Sequence, residues 1–231
     1  MRRLIGNTAI EVNAIGLGGM PLSIEGRPDE RTALAVIAAF VESGGDFIDT
    51  AISYCIDNDD LGHNERLVAT ALARLKRRDV VVATKGGLTR PRGRWDVDAS
   101  PQWLRRCCER SVRDLGGPIA LYYLHAVDSN VPFADSLGEL VKLRDEGEIV
   151  HIGLSNVSWR QLDEALKVTP IAAVQNRCNV LERRDVDNGL VEHCRRIGVA
   201  YVPYSPVGGH FRHTRVAQNP VLARLAAKHE T

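Results

Sequence analysis

The sequence predicts an α/β fold of the (β/α)8 barrel type, and three observations carry that reading. Short apolar runs rich in Val and Ile alternate with amphipathic segments along almost the whole chain. The apolar runs lack a period of two, as strands covered on both faces do. Connections between the segments are short, which favours a barrel over an open sheet. At 231 residues and 44% hydrophobic composition the chain can bury a substantial core without staples. Residues 1–231 read as one domain.

The elements follow in order. Leu4–Ile5 and Ile10–Val12 flank Gly6-Asn7-Thr8 and read as a small hairpin. Strands are expected at Ala14–Leu17, Phe47–Thr50, Val80–Thr84, Ile119–Leu124, Ile149–Gly153, Ile171–Gln175 and Val199–Pro203. Between them, Asp29–Ser43 places Leu34, Ile37 and Val41 on one helical face and stops at Gly44-Gly45. Asn64 is a candidate cap for a helix carrying Leu67, Val68, Ala71 and Leu75. Ser100-Pro101 is a cap with proline at the first helical position. Ala134–Glu146 ends at Gly147, and Ser158 with Gln161 reads as a capping box. Asp185–Ile197 reads as one helix, and Asn219-Pro220 opens the last. A complete barrel takes about 250 residues. The expectation is therefore seven of eight βα units, the C-terminal one missing, with an open edge inviting self-association.

Bulk charge is close to neutral, with 30 Lys plus Arg against 29 Asp plus Glu. Nothing in it points to a nucleic-acid or membrane partner. Five cysteines form no CxxC pair, and the spacing of His151, His193, His210 and His213 matches no metal site, so no metal is expected. The N-terminus has no apolar run of signal-peptide type, and no stretch nears eighteen apolar residues. A cytoplasmic location is the expectation.

Barrel chemistry sits where strands end. Those positions hold Asp49, Tyr54 in the loop beyond it, Lys85 and His125. Taken singly, Asp49 reads as a turn cap and Lys85 as a solvated loop lysine. Together they bring an acid, a phenol, an ammonium and an imidazole to one mouth.

Gly16-Leu17-Gly18, Phe47-Ile48-Asp49-Thr50-Ala51 with Tyr54, Gly62-His63-Asn64-Glu65 and Ala83-Thr84-Lys85 come first in a longer series. Leu124-His125, Ile152-Gly153-Leu154-Ser155-Asn156, Val174-Gln175-Asn176 and Tyr204-Ser205-Pro206 complete it. On these stretches, in this order, the chain resembles the aldo-keto reductase family from residue 2 to its end. The resemblance implies a reductase of aldehyde or ketone carbonyls with Asp49, Tyr54, Lys85 and His125 as its catalytic residues. It further implies NADP(H) as cofactor, NAD(H) being the other candidate. Ser155, Asn156 and Gln175 would hold the nicotinamide amide, Tyr204 would stack on its ring, and Ser205, Pro206 and Gly208 would run beneath the pyrophosphate. Met20–Pro28 and Asn179–Arg184 are similar to a bacterial subgroup acting on small aldehydes, pyridoxal among them.

Physical chemistry adds that a Lys85 ammonium favours the phenolate and should lower the pKa of Tyr54. Arg90, Arg92 and Arg94 read as a solvated basic loop, with contact to an anionic substrate or to cofactor phosphates as the other reading. Two further functions stay open: a non-catalytic, reductase-like cofactor-binding module, and a Schiff-base lyase using Lys85.

Overall fold

The structure is a computed structural model that describes residues 1–209 and 218–229; His210 and His213 lie outside them. Two strands, β1 (Arg2–Leu4) and β2 (Glu11–Asn13), pair antiparallel as the expected hairpin. Seven strands then form one parallel sheet in the order β11-β10-β9-β8-β5-β4-β3. They are β3 (Leu17–Gly18), β4 (Phe47–Asp49), β5 (Val81–Gly86), β8 (Ile119–Leu124), β9 (Ile149–Ser155), β10 (Ala173–Gln175) and β11 (Ala200–Tyr201). The sheet curls strongly, since Gln175 at the end of β10 donates a 2.7 Å hydrogen bond to Asp49 at the end of β4, while among the described residues β3 and β11 remain its two unpaired edges. In a flat sheet those two strands would be separated by β5, β8 and β9.

Helices α1 (Glu30–Glu42), α2 (His63–Leu75), α3 (Pro101–Leu115), α4 (Phe133–Asp145), α5 (Trp159–Leu166), α6 (Arg184–Asp187) and α7 (Leu190–Ile197) lie outside the sheet, and α8 (Pro220–His229) follows with no buried residue. Ser100 caps α3 and Gly116 ends it in the left-handed region, while Ser158 and Gln161 form both bonds of the capping box on α5. The outer core joins α3 to α5 with the sheet through Leu104, Leu137, Leu140, Ile152 and Leu154. Alternate residues point into the barrel, where Leu121 and Tyr123 meet Phe47, Ala83 and Ala173. Gly153 makes room there, because a Cβ would collide with the Tyr123 ring. Ile5 and Val12 close the floor against the same cluster. Gly6, at φ +57°, lies against the Ala172 carbonyl, leaving no room for a side chain.

Several sequence readings need correction. The first barrel strand begins at Leu17, since Ile15 is 79% exposed and pairs with nothing. Asn64 lies inside α2, whose cap is Gly62; its amide instead donates to Gly19 O and Ser23 Oγ at 2.8 and 2.7 Å. Asp185–Ile197 is broken in two by Asn188-Gly189, with Gly189 at φ +82°. The loop after β5 carries a further hairpin, β6 (Leu88–Thr89) with β7 (Asp96–Val97). Among the described residues, no helix is long and apolar enough to cross a membrane.

Candidate active site

Two strands deliver the first groups. β4 ends on Asp49 and β5 carries Lys85 to its penultimate position, in parallel register with Asp49 beside Ala83. Lys85 is fully buried, and its Nζ donates three hydrogen bonds: 2.7 Å to Asp49 Oδ2, 2.8 Å to Thr50 O and 3.0 Å to Tyr54 Oη. An ammonium has three protons, so each is engaged. Asp49 is fixed from its other oxygen by Gln175. His125 follows β8, its backbone N–H bonded to Gly86 O and its ring edge-on to Tyr54 with centroids 5.7 Å apart. Its Nδ1 faces Ser53 Oγ at 3.4 Å.

Burial sets the protonation states. It raises the Tyr54 phenol well above its ordinary range, with the Asp49 charge acting in the same sense. The direction is opposite to the expected lowering, because desolvation of the phenolate leads and the Asp49 charge adds to it. Burial lowers Lys85, opposed by Asp49, and burial plus the Lys85 charge hold His125 well below its usual value. Tyr54 is a neutral phenol and His125 a neutral imidazole. Cys55 is buried beside them, its thiol pushed up to about 12 by desolvation, so no thiolate is at hand.

A cavity of about 580 Å³ opens over this cluster. Tyr54 and His125 line one side; Ser155, Asn156, Gln175, Tyr204, Ser205 and Gly208 line the other. Pro206 is not among the lining residues and is exposed. β9 runs two residues past its expected end, which sets Ser155 at the strand terminus. Asn156 follows at φ +58° and donates to His125 O at 2.9 Å, while accepting from Tyr204 Oη at 2.8 Å. The donor set fits a nicotinamide dinucleotide: two side-chain amides and a hydroxyl suit a carboxamide, and an aromatic ring suits a flat heterocycle. Gly208 and Gly209, at φ +90° and +71°, make a bare backbone turn of the kind that admits phosphate, and a Cβ on Gly209 would stand 2.6 Å from Ser205 Oγ.

Burial changes the reading of two residues. Glu65 is buried behind β5, where it accepts a 2.6 Å bond from Thr84 Oγ1 and lies near Ser111. Burial raises its carboxyl to about 7. Arg90, read as a solvated loop residue with contact to an anionic substrate or cofactor phosphates as the alternative, is buried and lines the cavity with Trp95. Among the described residues, no three His, Cys, Asp or Glu side chains gather as a metal site.

The family model described as "Aldo/keto reductase family" matches residues 14–229. "Probable aldo-keto reductase 1" of Glycine max is 37% identical over 230 residues, covering 96% of this chain and 64% of that protein. An aldo-keto reductase from Bacillus halodurans, solved in its holo form, superposes with a TM-score of 0.77 at 28% identity, over 90% of this chain and 66% of that one. A glycerol dehydrogenase from Gluconobacter oxydans also gives 0.77 at 28% identity, over 87% of this chain and 62% of that one. The chain thus spans slightly less than two thirds of the length of these relatives.

Proposed function

The chain belongs to the aldo/keto reductase family, and we propose that it reduces an aldehyde or ketone carbonyl to the alcohol, with NADPH as hydride source and Tyr54 as proton donor. One observation carries the reading. Tyr54 Oη accepts from Lys85, so its own proton is left for a group in the cavity that the phenol lines. A bound dihydronicotinamide supplies the hydride to the carbonyl carbon. The chain's residues do the rest. His125, neutral and with Ser53 facing Nδ1, presents Nε2–H to the carbonyl oxygen and orients it. Tyr54 passes its proton to that oxygen as negative charge builds there. The phenolate left behind sits 3.0 Å from the Lys85 ammonium, which compensates the burial that otherwise disfavours it. Asp49, held by Gln175, keeps Lys85 charged and in place. Ser155, Asn156, Gln175 and Tyr204 would hold the nicotinamide end, and Ser205 to Gly209 the phosphates.

A paired assay tests this. Titration of NADPH and NADH by nicotinamide fluorescence reads binding, and loss of 340 nm absorbance with an aldehyde, a wavelength chosen for the dihydronicotinamide, reads turnover. Binding with turnover is the expected result. Binding without turnover leaves the non-catalytic module, and no binding of either dinucleotide removes the proposal.

A further inference from the structure

Arg90 lines the cavity yet takes no part in the proton transfer described above. It stands where the β6–β7 hairpin leaves its last pair. Thr89 is opposite Asp96, so Arg90 and Trp95 are the next residues on either side. The guanidinium carbon lies 3.9 Å from the centre of the Trp95 ring. Arg90 is only 3% exposed. A buried guanidinium is costly unless it is paired, yet among the described residues no Asp or Glu forms an ion pair with it. Glu25 and Asp57 act on it only at longer range. Its Nη2 donates to Ile56 O at 3.2 Å, and its backbone N–H to Asn58 Oδ1 at 2.6 Å. Nε is buried without an acceptor, and Nη1 donates to no described residue. The side chain is thus fixed by stacking and by one backbone contact, with most of its donors unspent.

Trp95 stands edge-on to Tyr54, their centroids 6.3 Å apart. The unpaired cation is therefore one ring away from the phenol. We propose that Arg90, stacked on Trp95, is a carboxylate subsite, and that the substrate is a small carbonyl compound with a carboxylate at its far end. The inference rests on the reductase reading of the cavity. A planar fork of N–H donors matches a carboxylate, and burial keeps that match from being screened. Arg177, the other arginine on the cavity, is exposed and paired with Glu182 at 3.8 Å, and lies by Tyr204 on the opposite wall.

The test compares 4-formylbenzoate with its neutral near-isostere 4-formylbenzamide. Wild type should favour the carboxylate by at least about tenfold in kcat/KM, as a charge-assisted bond in a buried site implies. Arg90→Gln should bring the ratio to about one, and Arg90→Lys should leave it between the two. A wild-type ratio near one, or an equal fall for both aldehydes in Arg90→Gln, overturns the subsite and leaves Arg90 as a clamp on the Ile56 loop. If neither aldehyde is reduced, the reductase reading fails by itself. The subsite is then read from tryptophan fluorescence, with benzoate and benzamide as probes. Saturable quenching by benzoate alone, lost in Arg90→Gln, supports it; equal response to both overturns it.

Discussion

On the β4–β5–β8 side of the cavity, Asp49, Lys85 and His125 stand on strand ends inside the packed barrel, and Tyr54 is buried with them. Each is held by another: Lys85 by Asp49 and Thr50, Tyr54 by Lys85, Asp49 by Gln175. On the β10–β11 side Tyr204 and Ser205 lie beyond the two-residue strand β11, both are half-buried, and Ser205 takes φ +54°. There the side chains bind one another, Tyr204 Oη to Asn156 Oδ1, in bonds that a ligand can replace. The difference separates two tasks. On the proposed reading, the groups that would move a proton are locked before any ligand arrives, while those that would hold a ligand keep partners they can exchange.

Breaking the locked side should have the largest effect. Tyr54→Phe keeps the ring and removes the proton, so aldehyde reduction should fall at least about 10²-fold with dinucleotide binding changed by less than about threefold. Steady-state kinetics beside a fluorescence titration measure both, and a mutant within about threefold of wild-type rate refutes the donor role.

Glu65, behind the same wall, tests what that locking costs. Burial raises its carboxyl to about 7, above the 4.5 of a free glutamate side chain. Between those pH values the native state keeps a proton that the unfolded chain has released. The contribution of Glu65 to stability should therefore be full below about 4.5, fall as pH rises to about 7, and stay level beyond, by about 3 kcal/mol in all. Glu65→Gln should remove that slope and gain most at pH 8. Urea melts at pH 4.5 and pH 8 decide it; an equal effect at both means the carboxyl is not held neutral.

The exchangeable side should respond more mildly. Tyr204→Ala should weaken dinucleotide binding about tenfold through lost stacking, and Tyr204→Phe, which frees Asn156, by less than about threefold. Fluorescence titration distinguishes them, and equal losses would mean that the hydroxyl rather than the ring matters. Ser158→Ala, at the start of the helix behind this wall, should cost about 1 kcal/mol in a thermal melt and leave dinucleotide affinity unmoved. A change in affinity would show that helix α5 shapes the site.

The strand ends at Asp49, Lys85 and His125 were legible because a polar residue closing a Val- and Ile-rich run is a local signal. Capping residues Ser100 and Ser158 were legible for the same reason. For Arg90 a possible anion contact was legible but its burial was not, since that depends on Ile56, Asn58 and Trp95 closing around it. Glu65 was invisible as a buried acid because α3 and β5 cover it, and no window around residue 65 contains them. The raised phenol pKa escaped likewise, for a neighbouring charge can be read from a motif and a degree of desolvation cannot.

The hairpin at the barrel floor bears on the order in which the molecule assembles. Gly6 rests on the carbonyl of Ala172, and Asn7 donates to Ile197 O across 190 residues of sequence. Contacts that distant in the chain are slow to form, because a long loop must close before they return any energy. On a ribosome the hairpin would emerge long before Ala172 and Ile197 and would be among the last parts of the barrel to find its place. Until β10 is made, Ile5 and Val12 have no floor to close, and the N-terminal hairpin remains a waiting segment.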